Sequence, residues 1–187
     1  AALCAPLLGS SPIVLLLLPV HVVFLELVIN PTCSIVLERQ PADRDIMERP
    51  PRKASEKLIQ MRTLSKSLLQ GFVLFGASFG TYAVFLNQYP DNPFLARSMG
   101  LTIMFLANIV LVQVNSSEHD FAFVSIAKLI KDKVMWIANI GTIAMLMIIL
   151  YTPLNGFLKL APLSISNLLL TVGIAAAAVL WYEIVKL

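Results

Sequence analysis

Five long apolar stretches constrain this chain more than any other feature of its sequence. They cover residues 13–37, 67–87, 98–115, 134–152 and 164–185, and an α-helix needs about 20 apolar residues to cross a bilayer. Of the 187 residues, 58% are hydrophobic and 13% are charged, whereas about 25% are charged in a typical soluble domain. The sequence therefore predicts an all-α fold, a polytopic transmembrane helix bundle that forms a single domain over residues 1–187.

The first ten residues, AALCAPLLGS, are also apolar. No basic residue precedes this run, so it is not typical of a signal peptide. We interpret it as the end of a further, truncated helix, a sixth in addition to the five spans. The chain is then a fragment of a longer protein. The lipid bilayer and the missing N-terminal domains of the parent chain are then the expected partners. The net charge of only +3 gives no indication of nucleic acid.

Lysine and arginine are distributed unequally between the two sides of the predicted bundle. The loop 38–66, the third connection and the C-terminus hold 12 of the 14 basic residues, and the other two connections hold only Arg97 and Lys159. Cytoplasmic connections carry the excess of basic residues. We therefore expect the loop 38–66 and the C-terminus to be cytoplasmic and the start of the chain to be outside. The absence of a targeting signal favours a plasma (inner) membrane.

The first span contains polar residues and a proline at a depth where hydrocarbon is expected. Inserting an acidic residue such as Glu26 costs about 2.5–3.5 kcal/mol, and Asn30 lies one turn further on the same face. Pro31 has no N–H and its ring clashes with the carbonyl of Leu27, so we expect the helix to unwind there and to release that carbonyl. Such oxygens suit a hard cation, which predicts a metal site at Glu26 and Asn30. The alternative is a proline kink beside a protonated glutamate that bonds to a neighbouring helix.

Two further features of the spans have a functional and a structural interpretation. Asn108 interrupts the apolar third span, either as another oxygen ligand or as a hydrogen-bonding group between helices. Gly76 and Gly80 are four residues apart in the second span, a spacing that allows two helices to approach closely, although glycine is also tolerated in lipid. His21 lies off the Glu26–Asn30 face, and a packing or interfacial role is expected for it.

The run LLPVHVVFLELVINPTCSIVLERQPADRDIMERPPRK, which includes DIMERPPR at residues 45–52, strongly resembles type II P-type cation-transporting ATPases. It is similar to their sixth transmembrane helix and the cytoplasmic loop that follows. The glycine-containing second span, the stretch RSMGLTIMFLANIVLVQVNSSE and the ending WYEIVKL resemble the seventh, eighth and tenth helices. The resemblance implies a C-terminal transmembrane domain made of helices six to ten.

The resemblance also implies ligand positions. In calcium pumps of this family the sixth helix provides an Asn and then a Thr-Asp pair, and an ungapped match places Glu26 on the Asn, Ile29 on the Thr and Asn30 on the Asp. Asn108 falls on an acidic ligand of the eighth helix. A carboxylate has thus moved to the first position, and Ile29 and Asn108 provide no anionic oxygen. This departure implies one ion per cycle or an ion other than calcium.

The resemblance implies an ATP-driven pump whose transported cation is calcium or another metal cation. The phosphorylation motif DKTG and the actuator motif TGE do not occur in these residues, so no catalytic residue is expected here. Mg-ATP would be bound by the missing domains of the parent, to which the loop 38–66 would relay phosphorylation. The alternative from a different class is a non-catalytic membrane module that scaffolds or anchors a partner.

Overall fold

Each predicted span overlaps an α-helix in the computed structural model, which describes residues 16–38, 61–115 and 133–186. The helices are α1 (Pro19–Glu38), α2 (Met61–Gln88), α3 (Pro93–Asn115), α4 (Lys133–Tyr151), the short α5 (Leu154–Phe157) and α6 (Ile165–Lys186). No strand occurs in these ranges. The predicted all-α membrane helix bundle is thus confirmed.

Two of these helices have the length and the apolar composition needed to cross a membrane, over Leu64–Gln88 and Pro93–Val112. Shorter apolar runs occupy Pro19–Ile35, Trp136–Tyr151 and Ile165–Trp181. Two helix starts differ from the predicted spans. Residues 13–15 lie outside the described residues, and α1 begins at Pro19, since proline fits the first helical position, where no N–H is needed. α2 begins at Met61, inside the predicted loop 38–66, and residues 39–60 of that loop lie outside the described residues.

The third helix is the centre of the bundle. It packs against α1, α2, α4 and α6, and residues 96–103 in its N-terminal half are all buried, with Met99 and Ile103 fully inaccessible, as is Phe105. Leu25 of α1 and Leu146 and Leu150 of α4 share one hydrophobic cluster with Phe105. Because helices in lipid associate through close packing rather than through the hydrophobic effect, this central helix determines how the others are placed.

Within the described residues, no helix packs closely against Gly76 or Gly80 of α2. A Cβ atom added at either glycine would meet no atom within 4 Å. Close packing at these glycines therefore stays a prediction for a helix outside the described residues. Towards α3, α2 turns Ser78 instead, which is 2% exposed and lies on a different face of the helix from the two glycines.

The close approach occurs instead at Gly100 of α3. A Cβ atom at this position would lie 2.6 Å from Cδ1 of Leu16 and 3.3 Å from the carbonyl oxygen of Ser78. The Ser78 hydroxyl donates a hydrogen bond of 2.9 Å to the Gly100 carbonyl oxygen. Gly100 thus lets α2, α3 and Leu16, three residues before α1, meet at one point, because it has no side chain to separate them.

Candidate functional site

Glu26 and Asn30 are brought together on α1 as their spacing predicts. The Asn30 Nδ2 amide donates a hydrogen bond to Oε2 of Glu26, since residues four apart lie on the same face of a helix. Both side chains are exposed. The pair therefore places a carboxylate and an amide side by side near the middle of the helix.

The pair is turned away from the centre of the bundle. Leu25 is 7% exposed and packs in the cluster around α3 together with Val28 and Ile29, whereas Leu27, beside Glu26, is 63% exposed. The apolar face of α1 thus contacts the described helices, and the Glu26–Asn30 face does not. Ile29, which provides no oxygen, has a packing role in this arrangement.

The expected unwinding at Pro31 is not seen. α1 is continuous from Pro19 to Glu38 and Pro31 lies inside it. A proline removes only the one bond that its own N–H would have donated, to the carbonyl of Leu27, and the helix on either side remains. The carbonyl oxygen of Leu27, next to Glu26, therefore lacks its usual helical donor, although the helix is not broken.

Asn108 is half-buried on α3. Within the described ranges no hydrogen bond joins it to Glu26 or Asn30, and no group of three or more His, Cys, Asp or Glu side chains is placed to hold a metal ion. Ala107, the neighbour of Asn108, is 1% exposed and packs against Ala175 and Val179 of α6. Of the three sequence-predicted ligands, the structure thus brings two together.

A second polar cluster lies at the N-terminal end of α1, where the sequence predicts no site. His21 is 1% exposed; its Nε2 lies 2.7 Å from the carbonyl oxygen of Leu158, and its Nδ1 accepts a hydrogen bond of 3.2 Å from the N–H of Leu18. Because Nδ1 accepts, Nε2 is the nitrogen that carries the proton. His21 is thus a packing residue, in agreement with the expectation for it.

The same cluster fixes the segment 158–164 that joins α5 to α6. Arg97, which is 4% exposed, donates a hydrogen bond of 2.9 Å from Nη1 to the carbonyl oxygen of Lys159. The fully buried Ser98 accepts a hydrogen bond of 2.8 Å from the N–H of Ala161. Arg97 is one of only two basic residues on its predicted side of the membrane, which was the one sequence signal for this cluster.

Removing the Ser98 hydroxyl should destabilise the protein. Ser98→Ala leaves the partly buried N–H of Ala161 without this acceptor, and the loss of one hydrogen bond costs about 0.5–1.5 kcal/mol. We expect a lower midpoint of thermal unfolding in detergent. The control is Ser166→Ala, the same change at an exposed position of α6, which should leave the midpoint unchanged. Equal midpoints for the two variants would contradict the role assigned to Ser98.

Comparison with known proteins assigns the chain to a family. The family model described as "Cation transporting ATPase, C-terminus" matches residues 14–187. The chain is 25% identical over 148 residues to "Calcium-transporting ATPase type 2C member 1" of Pongo abelii, an alignment that covers 79% of this chain and 16% of the relative. The proteins of the same name from Mus musculus and Homo sapiens are 25% and 24% identical over the same shares of both chains.

The chain thus spans about a sixth of the length of these relatives, since 16% of each is aligned. The match extends over all six described helices and over the loop 38–66. It agrees with the resemblance seen in the first span and its following loop, and with the apolar helices of an integral membrane protein. The chain belongs to the family of cation-transporting ATPase C-terminal regions.

Proposed function

We propose that this chain forms the cation-binding transmembrane part of an ATP-driven P-type pump, and that Glu26 and Asn30 bind the transported cation. The observation that carries the proposal is the hydrogen-bonded Glu26–Asn30 pair at mid-helix in α1. An acidic residue within a membrane span is costly and usually functional. The family membership and the names of the relatives support a divalent, calcium-like cation.

Binding a cation at the pair requires a rearrangement of Asn30. In the structure its amide NH₂ points to Glu26, and an NH₂ group can only donate. To ligate a cation together with the Glu26 carboxylate, the amide must turn its Oδ1 towards the ion. The existing hydrogen bond then keeps the carboxylate satisfied while no cation is bound, and the cation replaces the NH₂ as its partner.

Two ligands leave the coordination of a hard cation incomplete, because calcium takes 6–8 oxygens and even magnesium takes six. The Leu27 carbonyl, which Pro31 cannot bond, is a third oxygen on the same turn. The Glu26–Asn30 face is exposed, so we infer that missing helices of the parent cover it and supply further ligands. Asn108 is proposed to assist from α3.

The remaining parts of the proposal concern the whole pump. Mg-ATP would bind to the missing cytoplasmic domains, and the loop 38–66 would contact them. We place this loop, the third connection and the C-terminus in the cytoplasm, because together they hold 12 of the 14 basic residues, and we place the protein in a plasma (inner) membrane.

A panel of cations tests the proposal on the full-length protein. We expect Ca²⁺ to stimulate ATP hydrolysis, and Na⁺ and K⁺ to have no effect. Asn30→Asp adds a second carboxylate and should lower the half-activating Ca²⁺ concentration by about ten-fold, since ligand charge count tunes calcium affinity. Val172→Ala, at a position of α6 that is 46% exposed, serves as the control. A full-length protein that hydrolyses no ATP with any cation of the panel would contradict the pump and favour the non-catalytic scaffold.

A further inference from the structure

The segment 158–164 is held by side chains from three different helices. His21 of α1 bonds to Leu158 at 2.7 Å, Arg97 of α3 bonds to Lys159 at 2.9 Å, and Tyr151 of α4 donates a hydrogen bond of 2.7 Å to the carbonyl oxygen of Leu163. The apolar side chains of the segment are buried as well, with Leu158 at 0% exposure. The segment is therefore a fixed point of the bundle.

The backbone of this segment is strained at one residue. Lys159 has a φ of 51° and is the one non-glycine residue with a positive φ among those described. Such a conformation costs about 1–3 kcal/mol and persists where the surrounding structure imposes it. The carbonyl of Lys159 is the group that Arg97 holds, so the strain marks a place where several contacts act together.

Of these three side chains, His21 is the one that belongs to α1, the helix that carries the proposed cation site. It precedes Glu26 by five residues, which is about 7.5 Å along a helix. His21 and Leu25 lie one turn apart on the buried face of α1, while Glu26 and Asn30 lie on the exposed face. The bond from His21 to Leu158 therefore sets both the rotation and the depth of α1, and with them the direction of the Glu26–Asn30 pair.

We propose that His21, as a neutral imidazole bonded to Leu158, is a positioning residue of the transport cycle that holds α1 in its cation-binding orientation. The inference rests on the proposed function. Because Nδ1 accepts from Leu18, a proton on Nδ1 would place two N–H groups against each other and break this arrangement. Acid on this side of the membrane therefore releases the contact and weakens cation binding.

The charged and titratable groups near His21 fit this role. Arg97 of α3 acts electrostatically on the imidazole, and Tyr82 of α2 lies beside Arg97. Tyr151 of α4 bonds to the segment, and the Lys159 side chain is exposed. None of these groups is a carboxylate, so nothing in this part of the described structure compensates a second positive charge on His21.

The test uses the full-length protein in detergent and measures the Ca²⁺ concentration that half-activates ATP hydrolysis at pH 7.5. His21→Leu removes the bond, and we expect about a five-fold rise with a maximal rate within two-fold of the unchanged protein, which corresponds to one hydrogen bond of about 1 kcal/mol. His21→Gln keeps a side-chain N–H for Leu158 and should restore the half-activating concentration. Val172→Ala, at a position of α6 that is 46% exposed and does not lie on α1, is the control.

A pH series keeps the inference testable if His21→Leu does not fold. Between pH 7.5 and 5.5 the half-activating Ca²⁺ concentration should rise more in the unchanged protein than in His21→Gln, since glutamine does not titrate. Superimposable pH profiles, or a His21→Leu variant with unchanged activation, would overturn the positioning role and leave the proposed function standing. Absence of Ca²⁺ stimulation in the unchanged protein would overturn the proposed function and this inference with it.

Discussion

Glu26→Ala in the full-length protein is expected to abolish cation-stimulated ATP hydrolysis. The substitution removes the carboxylate of the Glu26–Asn30 pair and leaves the Asn30 amide without its partner on the same turn. Calcium affinity depends on the charge of the ligands, and the amide alone is neutral. We expect no stimulation at any Ca²⁺ concentration tested, with phosphate release as the measurement and thermal unfolding as the check that the variant folds.

Two further variants separate charge from structure at this position. Glu26→Gln preserves the shape of the side chain and should weaken activation by at least about ten-fold, because the anionic ligand is lost. Val172→Ala changes a position on α6 that is 46% exposed and should behave as the unchanged protein. A Glu26→Ala variant with normal cation dependence would show that the carboxylate is not a ligand.

Gly100→Leu is expected to destabilise the bundle more than the same change at any other described glycine. A Cβ atom at Gly100 already lies 2.6 Å from Leu16 and 3.3 Å from the Ser78 carbonyl oxygen, and leucine adds three more carbon atoms. Leu16 can move, but the backbone of α2 cannot move without disturbing the hydrogen bond from Ser78. Overpacking of this kind costs about 1–3 kcal/mol or more, measured as a lower unfolding midpoint in detergent.

The glycines with open surroundings provide the comparison. A Cβ atom at Gly76 or Gly173 would meet nothing within 4 Å, and leucine favours helix more than glycine does. Gly173→Leu should therefore leave the midpoint unchanged or raise it slightly. If Gly76→Leu destabilised the full-length protein as much as Gly100→Leu, a helix outside the described residues would pack there, as the spacing of Gly76 and Gly80 predicts.

The helices and the pairing of Glu26 with Asn30 follow from local rules and were predictable. Long apolar stretches indicate spans, and residues four apart meet on one face of a helix. The start of α1 at Pro19 follows from proline chemistry. The continuity of α1 through Pro31 did not follow from local rules. A proline inside a helix can break the helix, or it can remove one hydrogen bond and leave the helix continuous. The packing around the helix decides which of the two occurs.

Contacts between distant segments were not predictable from local rules. The bond from His21 joins residues that are 137 apart in the chain, and that from Arg97 joins residues 62 apart. Nothing in the neighbourhood of either residue indicates its partner. The same holds for Gly100: glycine spacing made Gly76 and Gly80 the better candidates for close packing, but which face of α2 turns towards α3 depends on the whole bundle.

The bond between His21 and Leu158 has a consequence for how the protein is made. Because 137 residues separate the two partners, a ribosome that adds about 5–20 residues per second takes roughly 7–27 s to supply Leu158 after His21. During that interval α1 and its acidic residue are in the membrane without the contact that fixes them. The first span of this chain can therefore pack against α3 and α4 before its bond to Leu158 forms, and synthesis of the connection between α5 and α6 is the step that supplies that bond.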